Sequence, residues 1–278
     1  MATRTKSRAP AKKTSTAVVD TPDYGEDYNS GFENQRQEDL TIPFVSVLQG
    51  LSDQVQNNEK ARVGMLFNNV TEELIDGAEG LIFVPAYTEH CFIEWKTRKQ
   101  GGGFVAKHEL GAAIVEKAKK DSTEFGKYST EYDKKGQCVG NDIVETYYIW
   151  AAVCDGAEAF AFAVLSFTST KIKIYKKWNT KVHMFQIPTG NGRKARPPIF
   201  AHLTHLTTKA ERNAEGEFFN YALAPAKGDL KSSLLAPDDA RLKAAKSLRD
   251  LCLEGMVEAK QDDTQQPDSR EGGPDWNE

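Results

Sequence analysis

The stretch TYYIWAAVCDGAEAFAFAVLSF, residues 146–167, consists of two apolar runs on either side of Asp155-Gly156. Both runs are short and rich in aromatic and β-branched residues, which are common in strands. An Asp-Gly pair between two such runs is a strong signal for a tight hairpin turn, because glycine readily adopts the positive φ that the turn requires. The stretch therefore predicts an antiparallel hairpin in the middle of the chain.

Further strand-like runs lie on both sides of this hairpin. Residues 81–87 (LIFVPAY) and 91–97 (CFIEWKT) are separated by a short polar segment. Residues 199–209 and 217–224 surround a second turn at 213–216. About five or six strands with glycine-containing turns predict a mainly β, α+β fold. An OB-like antiparallel barrel fits this pattern, and a β-sandwich fits the same number of strands.

Two helices are indicated outside the central strands. The segment ELGAAIVEKAKK, residues 109–120, fits a short helix. Residues 237–259 start with Pro-Asp-Asp, and both the proline and the acidic residues suit a helix N-terminus. Four residues would form the buried face of this C-terminal helix: Leu242, Ala245, Leu248 and Cys252.

The stretch STKIKIYKKWNTKVHMF, residues 169–185, is compatible with two structures. Its first residues alternate as they would in a strand. Over its full length, however, a helical wheel collects the large apolar residues in one stripe: Tyr175, Trp178, Val182 and Phe185. The opposite side carries Lys173, Lys176, Lys177 and Lys181, and Ser169 or Thr170 can cap the start. The longer pattern favours an inserted amphipathic helix whose polar side is lined with lysines.

The formal net charge of −4 conceals an uneven distribution. Residues 159–210 contain nine lysines and arginines and no acidic residue, whereas the rest of the chain carries a charge of −13. Such asymmetry favours an anionic partner, although a solvated basic face is the alternative. Aromatic residues are interspersed with these cations. Proteins that bind single strands without sequence preference combine a cationic groove with aromatic rings on which bases stack.

The predicted nucleic-acid-binding residues form two patches. The first patch supplies phosphate contacts from the helix and a basic loop: Lys171, Lys173, Lys176, Lys177, Lys181, Arg193, Lys194 and Arg196. The second patch is a loop that mixes cations with aromatic residues: Trp95, Lys96, Arg98 and Phe104. Tyr175, Trp95 and Phe104 are the candidates for base stacking. Trp178, which lies on the apolar stripe, is expected to pack in the core.

No pattern in the sequence indicates an active site. His202 and His205 lack the glutamate and the spacing of a helical zinc-protease motif, and on a strand they would point to opposite faces. The triple glycine at residues 101–103 lacks the GK[ST] ending of a phosphate loop. The four cysteines form no CxxC pair and do not suggest a disulfide scaffold. We therefore expect a protein that is not an enzyme, with no catalytic residue, metal or cofactor.

Both ends of the chain are expected to be disordered, which leaves residues 40–260 as the folded domain. The N-terminal arm, residues 1–39, starts with a basic segment and continues as a polar, acidic one. The tail at 261–278 contains six acidic residues and Trp276. Acidic tails that end near an aromatic residue are typical of single-stranded DNA-binding proteins, where they compete with DNA and recruit replication enzymes. Asp275 and Trp276 would form this partner-binding tail; a generic solubilising tail is the alternative.

Four segments give the sequence a family resemblance: EGLIFVPAYTEHCFIEW at 79–95, GGGFVAKHE at 101–109, LSFTSTKIKIYKKWNTK at 165–181 and GEFFNYALAPAKGD at 216–229. They resemble a group of bacteriophage-encoded early proteins taken to be single-stranded DNA-binding proteins. The resemblance covers roughly residues 44–255 and carries no residue-by-residue binding roles. It implies an OB-type barrel and a role in phage replication or recombination. The tail departs from the group, because it is less acidic and ends in Trp-Asn-Glu.

These observations predict a sequence-nonspecific single-stranded DNA-binding protein of phage DNA replication or recombination. We expect it in the cytoplasm of the bacterial host, because no apolar run approaches the roughly 20 residues of a membrane span and no signal peptide is evident. The alternative is a phage protein that binds a host protein through its basic patch. A nuclease would need metal-binding carboxylates that the sequence does not suggest. Contacts of the tail with phage replication proteins, formation of a homo-oligomer, and the choice between DNA and RNA stay open.

Overall fold

The computed structural model describes Gly31, residues 41–156, 158–213 and 216–257, and Ala259. The rest of the predicted N-terminal arm and the tail at 261–278, with Asp275 and Trp276, lie outside the described residues. The strands are β1 (Val45–Val47), β2 (Leu66–Asn68), β3 (Leu74–Ile75), β4 (Leu81–Trp95), β5 (Phe104–His108), β6 (Tyr128–Ser129), β7 (Asp142–Asp155), β8 (Glu158–Thr168), β9 (Ile187–Pro188), β10 (Lys194–Ala195), β11 (Thr204–Asn213) and β12 (Gly216–Pro225). The helices are α1 (Asp53–Asn57), α2 (Ala113–Asp121), α3 (Lys171–Met184) and α4 (Ala240–Leu253).

The main sheet is built on a long antiparallel ribbon of β4 and β7. Its strand order is β12-β11-β4-β7-β6, while β5 pairs with the C-terminal end of β4 and β8 pairs with β7. All pairings within this sheet are antiparallel. Two small sheets, β1-β2-β3 and β9-β10, accompany it. The mainly β, antiparallel part of the prediction is therefore confirmed.

Both predicted hairpins are present. β7 and β8 pair up to Asp155 and Glu158, and Gly156 between them has a φ of +58°. β11 and β12 form the second hairpin, although residues 199–201 form a short 3-10 turn ahead of it, so the strand starts later than predicted.

The expectation of separate strands at 81–87 and 91–97 is wrong. Residues 81–95 form one strand, because the polar residues between the two runs continue the ladder with β7: Thr88 opposite Ile149 and His90 opposite Tyr147. The only irregularity in this pairing lies between Pro85 and Tyr87. A strand ladder uses backbone groups, so polar side chains at an open face do not interrupt it.

β7 is covered on both faces of the sheet. Residues 146–154 are all buried, and successive side chains enter two different cores. Tyr148 and Trp150 pack in the core beneath α4, whereas Ile149 and Ala151 pack in the core beneath α3. A third, smaller core joins Phe92 to α2 at the far end of the ribbon.

Helix α4 confirms the predicted C-terminal helix with different limits. It starts at Ala240 rather than at residue 237, because Asp239 is the N-cap and its carboxylate accepts a hydrogen bond from Arg241 N. It ends at Leu253. Leu242, Ala245 and Leu248 are buried in the core as predicted, while Cys252 is partly buried.

The described strands do not form a continuous hydrogen-bonded ring, so a closed barrel is not confirmed. Between β8 and β12 the gap is spanned by residues 43–49. On one side, Val164 N donates to Pro43 O at 2.8 Å; on the other, the Tyr221 hydroxyl donates to Val45 O at 2.8 Å. Gln49 makes two further hydrogen bonds with the backbone of Phe219. Residues 43–49 thus bridge this gap through individual hydrogen bonds rather than through regular strand pairing with both β8 and β12.

Helix α3 confirms the predicted amphipathic helix. Ile172, Tyr175, Trp178 and Val182 are buried against the sheet, and Phe185 follows the last turn as the C-cap residue. Trp178 is only 6% exposed, so its ring packs in the core as the apolar stripe predicts.

We predict that Trp178→Ala lowers the free energy of unfolding by about 3–5 kcal/mol, because it removes a large buried ring and leaves a cavity. Chemical denaturation measures this change. Lys177→Ala, at an exposed neighbouring position of the same helix, is the matched control and should change stability by less than about 0.5 kcal/mol. Equal effects of the two substitutions would contradict the packing of Trp178.

Candidate nucleic-acid interface

The outer face of α3 is a row of lysines. Lys173, Lys177 and Lys181 are exposed. Lys171 and Lys176 are half-buried at the two flanks of the helix, and each ammonium lies over an aromatic ring: Lys171 Nζ is 5.6 Å from the Tyr221 ring centroid, and Lys176 Nζ is 5.4 Å from that of Tyr147. Among the described carboxylates, none forms an ion pair with the three exposed lysines.

The start of α3 is electrostatically unfavourable. The helix has no acidic residue in its first turn, and the side chain of Thr170, at the N-cap, makes no capping hydrogen bond. Lys171 and Lys173 instead lie near the positive end of the helix dipole, where cations are destabilising. Tertiary packing of the apolar stripe, rather than local sequence, therefore stabilises this helix.

One carboxylate offsets part of this charge. Glu211 on β11 is bound by Lys209 and by Asn220, whose side-chain amide donates at 2.8 Å. Partial burial acts to raise the pKa of Glu211, but the hydrogen bonds from Lys209 and Asn220 and the charge of Lys173 together hold this pKa below its ordinary value. Glu211 is thus charged at neutral pH and lies near the N-terminal end of the lysine row.

The basic loop joins the other end of α3. Arg193, Lys194 and Arg196 are exposed on and beside the small β9-β10 hairpin. Arg196 Nη2 lies 2.9 Å from Nε2 of His183, which is in the last turn of α3. The structure therefore brings the helix lysines and the loop cations of the first patch into one surface, which we call the lysine face: Lys171, Lys173, Lys176, Lys177, Lys181, Arg193, Lys194 and Arg196.

The second patch lies away from the lysine face. Tyr175 of α3 contacts Thr88 in β4, whereas Trp95 is the last residue of that strand. Trp95 lies seven positions after Thr88 along the extended strand, which corresponds to roughly 23 Å. Lys96 and Arg98 are exposed at this distal end. The two patches are thus at different positions along the same ribbon.

Two of the three expected stacking rings are not open to a ligand. Trp95 is 2% exposed and Tyr175 is 5% exposed, because both point into cores that helices cover. The expectation that their faces are available for bases is therefore wrong. Phe104 is 40% exposed and packs edge-on against Trp95, with 6.0 Å between the ring centroids, so it alone of the three stays available.

Sequence reasoning missed two histidine–carboxylate pairs, one between β4 and β7 and one between β5 and β4. His90 Nε2 lies 3.1 Å from Oε1 of Glu145, and His108 Nε2 lies 2.8 Å from Oε2 of Glu94. The Tyr147 hydroxyl also donates to Glu145, at 3.0 Å. The hydrogen bond from His90 holds the pKa of Glu145 below its ordinary value. Only the β4–β7 register brings His90 and Glu145 together, and no local motif signals that register.

The cysteines and the other histidines do not form a nucleophilic site with these pairs. Cys91 is buried on the opposite face of β4 from His90, and burial raises the pKa of its thiol to about 12. His202 is buried, whereas His205 on β11 hydrogen-bonds to Glu79 O at 2.7 Å. The two histidines thus have separate environments, although His202 precedes β11 and does not share a strand with His205 as the sequence suggested.

The described residues contain no cluster of three or more histidines, cysteines or carboxylates that could hold a metal ion. No helix in the same part of the chain is both long enough and apolar enough to span a bilayer.

Residues 11–257 match the family described as Pam3 phage gp34-like protein. No curated protein and no solved structure matches the chain.

We predict that one thiol per chain reacts rapidly with a disulfide reagent such as DTNB at about pH 8 in the native protein. Burial raises the pKa of Cys91 and Cys252 to about 12 and that of Cys154 to about 11, so their thiolate fractions are very small. Desolvation also raises the pKa of Cys138 above its ordinary value, but this thiol is exposed to the reagent and therefore supplies the fast phase. Cys138→Ser should abolish this phase, and denaturant should expose the remaining thiols; rapid native labelling in that variant would contradict the assignment.

We also predict that His202 makes the fold less stable at acidic pH. Its ring is 1% exposed and neither nitrogen has a hydrogen-bond partner among the described residues, and burial lowers its pKa below the ordinary 6.5. Below about pH 6.5 the unfolded chain binds a proton that the native ring does not, so stability falls by up to about 1.4 kcal/mol per pH unit until the native ring titrates.

Denaturation between about pH 7.5 and 5.5, on either side of the ordinary histidine pKa, measures this loss in the natural chain and in His202→Leu. The variant should lose less stability on acidification, because the other histidines are common to both proteins. Identical pH dependences would show that His202 does not contribute.

Proposed function

The chain belongs to the Pam3 phage gp34-like protein family, and from this premise we propose that it is a single-stranded DNA-binding protein. It would bind without sequence preference and without catalysis, during phage replication or recombination in the bacterial cytoplasm. Family membership supports the phage origin. The observation that carries the binding proposal is the lysine face, where the cations of α3 and of the loop that follows it form one surface.

The spacing of the helix lysines supports an anionic ligand. Lys173, Lys177 and Lys181 recur every four residues, so they lie in a row with steps of about 6 Å along the helix axis. Like charges at this spacing destabilise a helix by roughly 0.2–0.5 kcal/mol per pair. Lysines near the positive end of the helix dipole add to this cost. Phosphate groups bound along the row would remove both repulsions.

Exposed rings support a single strand over a duplex. Phe104 is open to solvent in the second patch, and the His90 side chain is 28% exposed on the ribbon between the patches. Aromatic ring faces stack on the bases of a single strand. In a duplex the bases are paired and stacked on one another, so they are unavailable for this contact. An OB-like barrel belongs to the same proposal, with residues 43–49 bridging the open gap in the sheet.

The terminal segments complete the proposal. Cations in the first 19 residues would add a salt-sensitive contact with the nucleic acid. The acidic tail, with Asp275 and Trp276, would compete for the lysine face and present a contact for phage replication proteins.

We predict that the protein binds single-stranded oligonucleotides more tightly than duplexes of the same length, with steep salt dependence. Roughly five to eight phosphate contacts give a slope of log K against log salt between about −3.5 and −5.6. Fluorescence anisotropy at about 50 to 200 mM salt measures both quantities. Replacing Lys173, Lys177 and Lys181 with alanine should reduce the magnitude of the slope by about 2, because three contacts of about 0.7 each are lost.

The matched control replaces three exposed lysines elsewhere: Lys231, Lys243 and Lys246. The last two lie on α4, on the opposite side of the sheet from α3. This variant has the same net charge as the first and should retain the slope. Equal slopes for the two variants would remove the lysine face from the site. Failure to bind oligonucleotides at all would overturn the proposed function and favour an acidic protein surface as the partner.

A further inference from the structure

Helices α2 and α3 cover two ends of the same face of the β4–β7 ribbon. Tyr175 of α3 stacks on Tyr147, with 4.7 Å between the ring centroids. Val115 and Ala118 of α2 pack around Phe92, farther along β4. Between the two helices, the sheet face is open to solvent at His90 and Glu145, whose side chains are 28% and 19% exposed.

A continuous row of rings forms the floor of this opening. His90 stacks on Tyr147 with 4.0 Å between the centroids and only 15° between the ring planes. Phe92 follows His90 at 5.8 Å. Glu145 fixes the imidazole through the bond to Nε2 and also accepts from the Tyr147 hydroxyl. One carboxylate therefore holds both the partly exposed His90 ring and the buried Tyr147 ring in place.

Each helix places a lysine beside this floor. The Lys176 ammonium of α3 lies over Tyr147, and the Lys119 ammonium of α2 lies 4.5 Å from the centroid of the Phe92 ring. Lys176 is also close enough to Glu145 to lower the pKa of that carboxyl. We refer to the opening with its floor of His90, Glu145 and Tyr147 and its flanking Lys119 and Lys176 as the α2–α3 cleft.

We propose that the α2–α3 cleft binds a nucleotide unit of single-stranded nucleic acid, with a base against His90 and the adjoining phosphates at Lys119 and Lys176. This assignment rests on the proposed function and specifies the route of the strand. The lysine face lies on the α3 side of the cleft. Phe104 lies farther along the ribbon and packs on Trp95, a ring of the core beneath α4 on the other face of the sheet. The cleft thus extends the lysine face across the ribbon toward α2.

The charges in the cleft specify the orientation of the strand. Glu145 is anionic at neutral pH and repels phosphate from the floor, whereas the two ammonium groups attract phosphate at the sides. A strand would therefore turn its bases toward the sheet and its backbone toward the helices. A duplex cannot adopt this orientation, because its bases are paired and its phosphates are outermost.

Lysine footprinting of the full-length protein tests the path. The protein is acetylated with and without an oligodeoxythymidylate of about 16 nucleotides, within the usual range of site sizes, and the modified lysines are quantified by mass spectrometry. Lys119 and Lys176 should be protected together with Lys177. Lys120, an exposed neighbour of Lys119 on α2, should stay reactive and serves as the internal control.

Matched substitutions give an independent measurement. Lys119→Ala should reduce the magnitude of the salt slope by about 0.7, the contribution of one phosphate on a single strand, whereas Lys120→Ala should leave it unchanged. His90→Gln retains a donor for Glu145 but removes the ring. It should weaken binding of oligodeoxythymidylate at least about fivefold, as loss of base stacking does elsewhere, and should leave binding of an abasic oligonucleotide unaltered.

The outcomes separate the two proposals. Oligonucleotide binding with protection of Lys177 but not of Lys119 and Lys176 would overturn the cleft and leave the proposed function intact. Equal losses for the thymidylate and abasic oligonucleotides in His90→Gln would show that His90 acts only in folding, and would also overturn the base contact. Absence of any oligonucleotide binding by the natural chain would overturn the proposed function and the cleft with it.

Discussion

Burial of β7 on both faces is the constraint on which the rest of the structure depends. Residues 146–154 are enclosed between two cores, so every backbone N–H and C=O of this strand must be paired within the sheet. β4 and β8 supply those partners along its two edges. Each core then needs a cover, and the two longest helices provide it: α4 lies over Tyr148 and Trp150, and α3 lies over Tyr147 and Ile149. The position of every cation on α3 follows from this requirement.

The orientation of α3 links packing to surface charge. Its apolar stripe must face the sheet to cover β7, which directs Lys173, Lys177 and Lys181 to solvent on the opposite side. The same packing places Lys171 and Lys176 at the flanks, over Tyr221 and Tyr147. A helix with unfavourable charges at its start is thus held by tertiary burial. Local rules of this kind are most often broken where a surface serves a function.

The length of the ribbon also creates the α2–α3 cleft. β4 extends beyond the area that α3 covers, and α2 occupies the far end around Phe92, so neither helix covers the middle. Polar residues occupy that middle: His90 on β4 and Glu145 on β7. In the sequence, His90 and its polar neighbours interrupt the apolar pattern of β4 and suggest a break between two strands. In the fold, they mark where the sheet is open to solvent.

Local patterns in the sequence determined the elements themselves. Asp155-Gly156 between two apolar runs specified the β7–β8 hairpin, and the 3.6-residue period of Tyr175, Trp178, Val182 and Phe185 specified α3 and the exposure of its lysines. Such signals act within a few residues, so they are readable without the fold. Only the tertiary structure decided which aromatic residues are accessible, since Trp95 and Tyr175 are covered by elements distant in sequence. It also decided that His90 meets Glu145, 55 positions away, because strand register depends on the pairing of whole strands and their burial rather than on any local motif.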